Sequence, residues 1–401
     1  MPHLPRVATL GALGALAAGA LTASLATTPA AAADHGKCTS STPYVSGTEG
    51  YSAFRIPAVI AAPSGDLLAF AEGRVGGLSD AGNIDTVVKR STDGGCTWGP
   101  LQIVHDNAGN TAGNPAPVVT ANGRIVLLTT YNGGTATEAM ILRGEVTAEQ
   151  SRRVFVQHSD DDGTTWSAPS EITAQTKLAT WRWYATGPGH AIRLAGGAHP
   201  GRLVVPANHS IAPPAGSTDT GAEAKYYGGH SLYSDDDGTT WQIGYVDDNP
   251  DGYINVNETT AAELPDGRIY FNTRDHNGTA PGNRADAYSS DGGATLDRPY
   301  HPQATITGPV VEGSVLQLTG PNAALLYCGP ADPAARAAMT IRISHDSGAT
   351  WTSALALSGL PAAYSDLVQV DANTVGVLYE TGDFGANERI VFRLVPVRDL
   401  R

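Results

Sequence analysis

One eight-residue pattern recurs five times along this 401-residue chain, and that recurrence restricts the available folds more than any other feature. Ser-x-Asp-x-Gly-x-Thr-Trp begins at Ser91, Ser159, Ser234, Ser289 and Ser344, so the copies start 68, 75, 55 and 55 residues apart; the fourth ends in Leu296 instead of Trp. Within each copy Asp and Gly supply turn chemistry. The Ser and Thr hydroxyls can bond back to the turn's own backbone, and the Trp can anchor the hairpin in a core. The flanking runs Thr86-Val87-Val88, Val154-Phe155-Val156 and Ile341-Arg342-Ile343 read as strands, as do residues 125–129, 203–206, 269–272, 324–327 and 375–379. Strand-turn-strand units at this spacing, with 47 Gly, 26 Pro and no long helical periodicity, predict an all-β chain whose units are the blades of a propeller.

The first 33 residues carry His3 and Arg6, then an Ala/Leu/Gly run, and close on Ala31-Ala32-Ala33, the pattern of a secretory signal peptide. Residues 34–401 are then expected to be one exported domain. The formal net charge of −14 becomes −15 without residues 1–33, whose one formal charge is Arg6. Such an acidic chain is a poor partner for nucleic acid or an anionic membrane. Any anionic substrate has to be held by local arginines working against the global field. Cys38, Cys96 and Cys328 are too few for a disulfide scaffold or a CxxC-type metal site; one bridge and one free thiol fit, with the pairing open.

The repeats themselves are read as structural. Asp160, Asp162 and Glu171 fall where a calcium loop places its first, third and twelfth ligands, but Thr165 stands where that loop needs Gly. No zinc-type histidine pair, nucleophile elbow or phosphate loop is present, so neither a metal nor a cofactor is expected. Against this repeating background stands Phe54-Arg55-Ile56-Pro57, an arginine in an apolar strand. Followed by the five boxes, it resembles the sialidase (neuraminidase) superfamily, in particular its bacterial glycoside hydrolase members, over nearly all of residues 40–400. The resemblance implies a six-bladed β-propeller with four antiparallel strands per blade, acting as an exo-sialidase on terminal α-linked sialic acid of glycans.

That family binds the substrate carboxylate with three arginines, and planar guanidinium groups offer paired donors that match two carboxylate oxygens. Arg55 matches the first and Arg274 the second. Arg336 is preferred as the third over Arg342, which alternates with Ile341 and Ile343 like a blade-strand residue. The family nucleophile corresponds to Tyr364, paired with Glu258. A tyrosine is the known exception among glycoside hydrolases, and a neutral phenol avoids repulsion from a sugar that carries its own carboxylate. Asp80, on the loop Gly77-Leu78-Ser79-Asp80-Ala81-Gly82, matches the acid/base, with Asp85 as the alternative. Glu380 matches the acid that orients Arg55. Arg74 resembles a residue contacting a sugar hydroxyl, and Asn114 falls near a position often filled by Asp that contacts the N-acyl group.

Two other readings compete. A non-catalytic glycan-binding propeller is expected to lack the nucleophile or an arginine, and none is missing here. A propeller glycosidase for neutral polysaccharide needs aromatic platforms along a cleft, and Trp181 with Trp183 is the single dense pair, assigned to the acceptor side. The sequence therefore leads to a secreted, monomeric sialidase domain, with linkage and hydrolysis versus transfer left open.

Overall fold

The five boxes adopt one shared arrangement. In the computed structural model, which describes residues 38–400, the Ser91 hydroxyl donates to Asp93 at 2.8 Å and accepts from the Gly95 amide at 2.8 Å. Asp93 then receives the Thr97 amide at 2.9 Å and the Thr97 hydroxyl at 2.7 Å. The same four bonds recur around Asp161, Asp236, Asp291 and Asp346. Each box thus satisfies its own backbone. Asp161 is held down to about 2, chiefly by the Thr165 hydroxyl and amide. Asp160, the first residue of the calcium-like spacing, is engaged by Arg124 at 2.7 Å. The leader expected at residues 1–33 lies outside the described residues.

The chain is all-β apart from short helical turns such as Glu138–Arg143 and Thr173–Thr176. Every strand foreseen from sequence lies within a strand of the structure, except that the fifth-box sheet's central strand starts at Leu325. The strands form five hydrogen-bonded sheets. Three have four strands, one has five, and one has eight. The eight-stranded sheet contains two antiparallel runs joined through a single parallel pair, Ile84 with Thr111. That one pair is reinforced by the Ile84 amide on the Asn110 carbonyl at 3.1 Å, so the strands form five sheets and not the six separate four-stranded blades that the resemblance implies.

The sheets follow one another in a propeller-like ring. Ala53–Ala61 packs beside Thr111–Val119, which meets Trp181–Thr186; Leu203–Ile211 meets Val256–Glu263, then Ser314–Gln317, then Ala362–Asp371, which returns to Ala53–Ala61. At the inner end Asp366 ties distant segments together by accepting the Val59 and His190 amides at 2.8 and 2.9 Å. Apolar clusters fill the spaces between sheets, for example Tyr44, Phe54, Leu67 and Val87 against Leu378, Ile390 and Phe392.

The ring closes by pairing Ser40–Val45 from the start of the domain with Arg389–Pro396 from its end. Cys38 and Cys96 form a disulfide across a separation of 58 residues, which pins this closing strand to the first box. Cys328 is free and buried. Loop-closure entropy for a ring of that size is worth up to about 4 kcal/mol. Cys38→Ser is therefore expected to lower the melting temperature clearly while leaving turnover at 25 °C unchanged. An unaltered melting curve would remove the disulfide from the closure.

Candidate active site

Five inner strands break their ladder at the residues that face one cavity. Register shifts fall between Arg55 and Ala58, Gly113 and Ala116, Trp181 and Tyr184, Val256 and Thr259, and Ala362 and Ser365. Between those limits lie Ile56, Asn114, Trp183, Glu258 and Tyr364. Bulges of this kind re-aim side chains at sheet ends. Ile56 and Asn114 take φ of 57° and 51°, and each precedes a proline, which has no amide to donate to a ladder.

The cavity they surround has a volume of about 180 Å³ and is lined by Arg55, Arg74, Asp80, Asn114, Glu258, Arg274, Arg336 and Tyr364, among others. Arg55 is fixed by Glu380, Nε to Oε1 at 3.1 Å and Nη2 to Oε2 at 3.2 Å. Glu380 is fully buried and also accepts the amides of Ile56 at 2.8 Å and Tyr364 at 3.3 Å. One carboxylate therefore positions an arginine from the first inner strand and a tyrosine from the last. The Arg55 guanidinium lies 4.8 Å from the Tyr364 ring centre.

Tyr364 donates its hydroxyl to Glu258 Oε1 in a short hydrogen bond. Glu258 Oε2 accepts from Arg274 Nη1 at 2.8 Å, and the same Nη1 is 3.4 Å from the tyrosine oxygen. Burial and then the Glu258 carboxylate push the Tyr364 pKa far up, more than Arg274 and Arg55 pull it down, so the resting group is a neutral phenol. Arg336 comes from the loop after Leu325–Pro330, bonds the Val310 carbonyl at 3.1 Å and reaches within 6.0 Å of the Tyr364 ring. Arg342 turns elsewhere, onto the Thr307 carbonyl and the Tyr327 ring.

Asp80 stands at the mouth, 68% exposed, 2.8 Å from Arg74 and 3.9 Å from Arg55. Burial raises its pKa, but Arg74 and Arg55 together outweigh that and hold it below the usual carboxylate range. Asp85 points away, accepting the Tyr51 hydroxyl at 2.7 Å. Arg74 is clamped by Glu72 at 2.6 Å and by the Leu78 carbonyl at 2.7 Å. Glu72 also accepts the Asn114 amide at 2.8 Å. A Cβ at Gly113 would stand 2.2 Å from Glu72 Oε1, so glycine there makes room for this clamp.

Several lining residues escaped the sequence reading: Glu72, Glu138, Arg152 and Asn208. Arg152 bonds Asn132 at 3.0 Å and Asn114 at 3.1 Å and stacks 3.8 Å over Trp183. Its only local signal was a pair of adjacent arginines. Burial brings its pKa down to about 10, leaving it charged at neutral pH. Asn114 thus presents its side chain to Arg152. Of the tryptophan pair, Trp183 lines the cavity, whereas Trp181 is buried in the core and stacked on His209, so the pair is not a platform. Counting the lining side chains, five arginines face four carboxylates, a local cationic surplus on an acidic chain. Among the described residues no cluster of ligands suited to a metal ion is present.

A BNR repeat-like domain model matches residues 65–377, and the chain belongs to that family, within the sialidase superfamily. It is 32% identical over 355 residues to the sialidase of Micromonospora viridifaciens, an alignment covering 84% of this chain and 51% of the relative. The chain thus spans about half the length of that relative. It is 29% identical over 359 residues to the exo-alpha-sialidase of Aspergillus fumigatus, covering 84% of this chain and 80% of the relative. Among solved structures, the Hadza microbial sialidase Hz136 superposes with a TM-score of 0.76 at 27% identity, covering 90% of this chain and 69% of that one.

Proposed function

We propose that this protein is an exo-sialidase that hydrolyses terminal α-linked sialic acid with retention of configuration. The observation that carries this reading is the convergence of Arg55, Arg274 and Arg336 around a phenol bonded to a carboxylate. Three guanidiniums suit a sugar bearing a carboxylate at its anomeric carbon, and they have no use in a site for neutral sugars.

In the first step the Tyr364 oxygen attacks the anomeric carbon while its proton passes to Glu258 Oε1. The glycosidic bond breaks, and Asp80 gives a proton to the leaving oxygen. In the second step Asp80 takes a proton from water, whose oxygen attacks the same carbon. The tyrosyl–sugar bond breaks and Glu258 returns the proton to Tyr364. Two inversions give net retention. Arg274, bonded to Glu258 and close to the phenol oxygen, stabilises negative charge as it moves between them. Asp80 is ionised in the free enzyme, and neutralisation of Arg55 by the substrate carboxylate raises its pKa toward the protonated form that the first step needs.

The fold reading that accompanies this mechanism is six blades of four strands, with the eight-stranded sheet counted as two blades bridged at Ile84 and Thr111. Export to an oxidising compartment is supported by the Cys38–Cys96 disulfide.

Arg336→Ala tests the carboxylate pocket. Loss of a charge-assisted contact is expected to raise KM for a sialoside by roughly tenfold to a hundredfold with little change in kcat. Arg342→Met, which keeps the bulk of a side chain outside the cavity, is expected to leave KM unchanged. The reverse pattern would transfer the third contact to Arg342.

A further inference from the structure

Tyr364 sits at the bulge of Ala362–Asp371, the edge strand of its sheet. Amides that point outward from an edge strand have no ladder to join, so a buried one needs another acceptor. At this bulge the two peptide groups that flank Tyr364 are taken by two carboxyl side chains from other strands and loops. Glu380 accepts the Tyr364 amide at 3.3 Å, and Glu312 Oε2 accepts the Ser365 amide at 2.9 Å. Glu312 is 3% exposed and is not among the residues that line the cavity. Its Oε1 is buried without a hydrogen-bond partner among the described residues, which leaves the Ser365 amide as the one group its carboxyl bonds there. A buried acid that makes a single bond, and makes it to the peptide following the nucleophile, calls for an explanation.

We propose that Glu312 is a positioning residue for the reaction: with Glu380 it fixes the two peptide planes on either side of Tyr364 and so sets where the phenol points, an inference that rests on the reading of Tyr364 as nucleophile. Peptide groups are planar, so the φ and ψ of Tyr364 are the two torsions between those planes. Holding both planes stops the Cα–Cβ bond from swinging. The segment that supplies Glu312 is itself anchored. The Val310 carbonyl accepts from Arg336 at 3.1 Å and the Val311 carbonyl from Arg284 at 3.0 Å, while Val311 shares an apolar cluster with Ile56 and Tyr364. The titratable groups around Glu312 are Glu258, Arg284, Tyr327, Cys328 and Asp366. Burial first, with Glu258 and Asp366 adding to it, pushes the Glu312 pKa far up against the pull of the Ser365 amide and Arg284, so the side chain acts as a neutral acid. Neutrality suits the place. A second charged carboxylate here would favour a proton on Glu258, which has to be free to take one from Tyr364.

The test compares the full chain with its variants on 3′-sialyllactose, reading kcat and KM separately and well below each melting transition. Glu312→Gln keeps a neutral acceptor oxygen at the same reach and is expected to hold kcat within about threefold of wild type. Glu312→Met keeps the bulk and removes the acceptor. Its kcat is expected to fall by roughly tenfold to a hundredfold, the effect of a slightly misplaced nucleophile, with KM within about twofold because Arg55, Arg274 and Arg336 keep their own anchors. Glu312→Asp, whose carboxyl falls one methylene short of the amide, supplies the same comparison should the methionine variant be poorly folded. Wild-type kcat in these two variants would overturn the assignment, and a change in KM as large as that in kcat would make Glu312 a support of the whole cavity instead. A glutamine variant as slow as the methionine one would also contradict it, by making the charge or proton of Glu312 the operative feature. A wild-type enzyme that cleaves no sialoside would overturn the sialidase reading and this inference with it.

Discussion

Replacing Tyr364 by Phe is expected to lower turnover of a natural sialoside by at least about a thousandfold, about 4 kcal/mol of transition-state stabilisation. The substitution removes one oxygen. Its two partners, Glu258 and Arg274, remain bonded to each other at 2.8 Å, so no buried charge is stranded and the thermal transition should stay where it is. That separates loss of the nucleophile from loss of the fold. Turnover within tenfold of wild type would take the nucleophilic role away from Tyr364. The comparison is best made on sialyllactose, whose leaving group depends on the whole catalytic arrangement.

The second large effect is expected at Asp80, and it should depend on the leaving group. A sugar alcohol departs only with a proton, so Asp80→Ala should cost roughly a hundredfold to ten-thousandfold on sialyllactose. A 4-methylumbelliferyl leaving group departs as a stabilised phenolate and should feel a much smaller loss. Equal losses on both would indicate that Asp80 positions Arg74 and Arg55 and does not transfer a proton. A pH effect accompanies this. The folded-state pKa of Asp80 is held below its unfolded value, so its ion pairs contribute stability at neutral pH and lose it as pH falls through that lowered value. With the carboxyl 68% exposed, solvent screening makes this contribution small. Its expected trace is local loosening of residues 77–82 in acid, with no change in global unfolding.

Features carried by short-range patterns were legible in the sequence. The box residues Asp93 and Thr97 are bonded within four positions of each other, so their role could be read directly from spacing. Arg55 was legible through the short Phe54-Arg55-Ile56-Pro57 segment that carries the family resemblance, and in the structure the register break falls between Arg55 and Ala58. The preference for Arg336 over Arg342 rested on alternation along a strand, and Arg342 does sit within Met339–Ser344, turned from the cavity.

Features made by long-range contact were not legible. Arg152 meets Asn114 across 38 positions, and Glu72 meets Asn114 across 42. Asn208 stands out in sequence only as part of an Asn-x-Ser sequon, and its buried amide without a partner among the described residues could not be read from that. Its pairing with Ala185 and Gly229 is likewise a matter of register. Trp181 and Trp183 looked like a pair because they are two apart, yet the register break between Trp181 and Tyr184 removes the alternation that would have put them on one face. The joining of two strand runs at Ile84 and Thr111 likewise depends on a single backbone pair that no pattern announces.

The most direct test of the assigned reaction is fluorophore release by the purified protein from 4-methylumbelliferyl α-sialoside, run beside the galactoside and glucoside. Cleavage of the sialoside alone is expected on the proposed reading, in which Arg55, Arg274 and Arg336, which line one cavity, hold the carboxylate of the sugar. Release from a neutral glycoside, or from none of the three, would run against it.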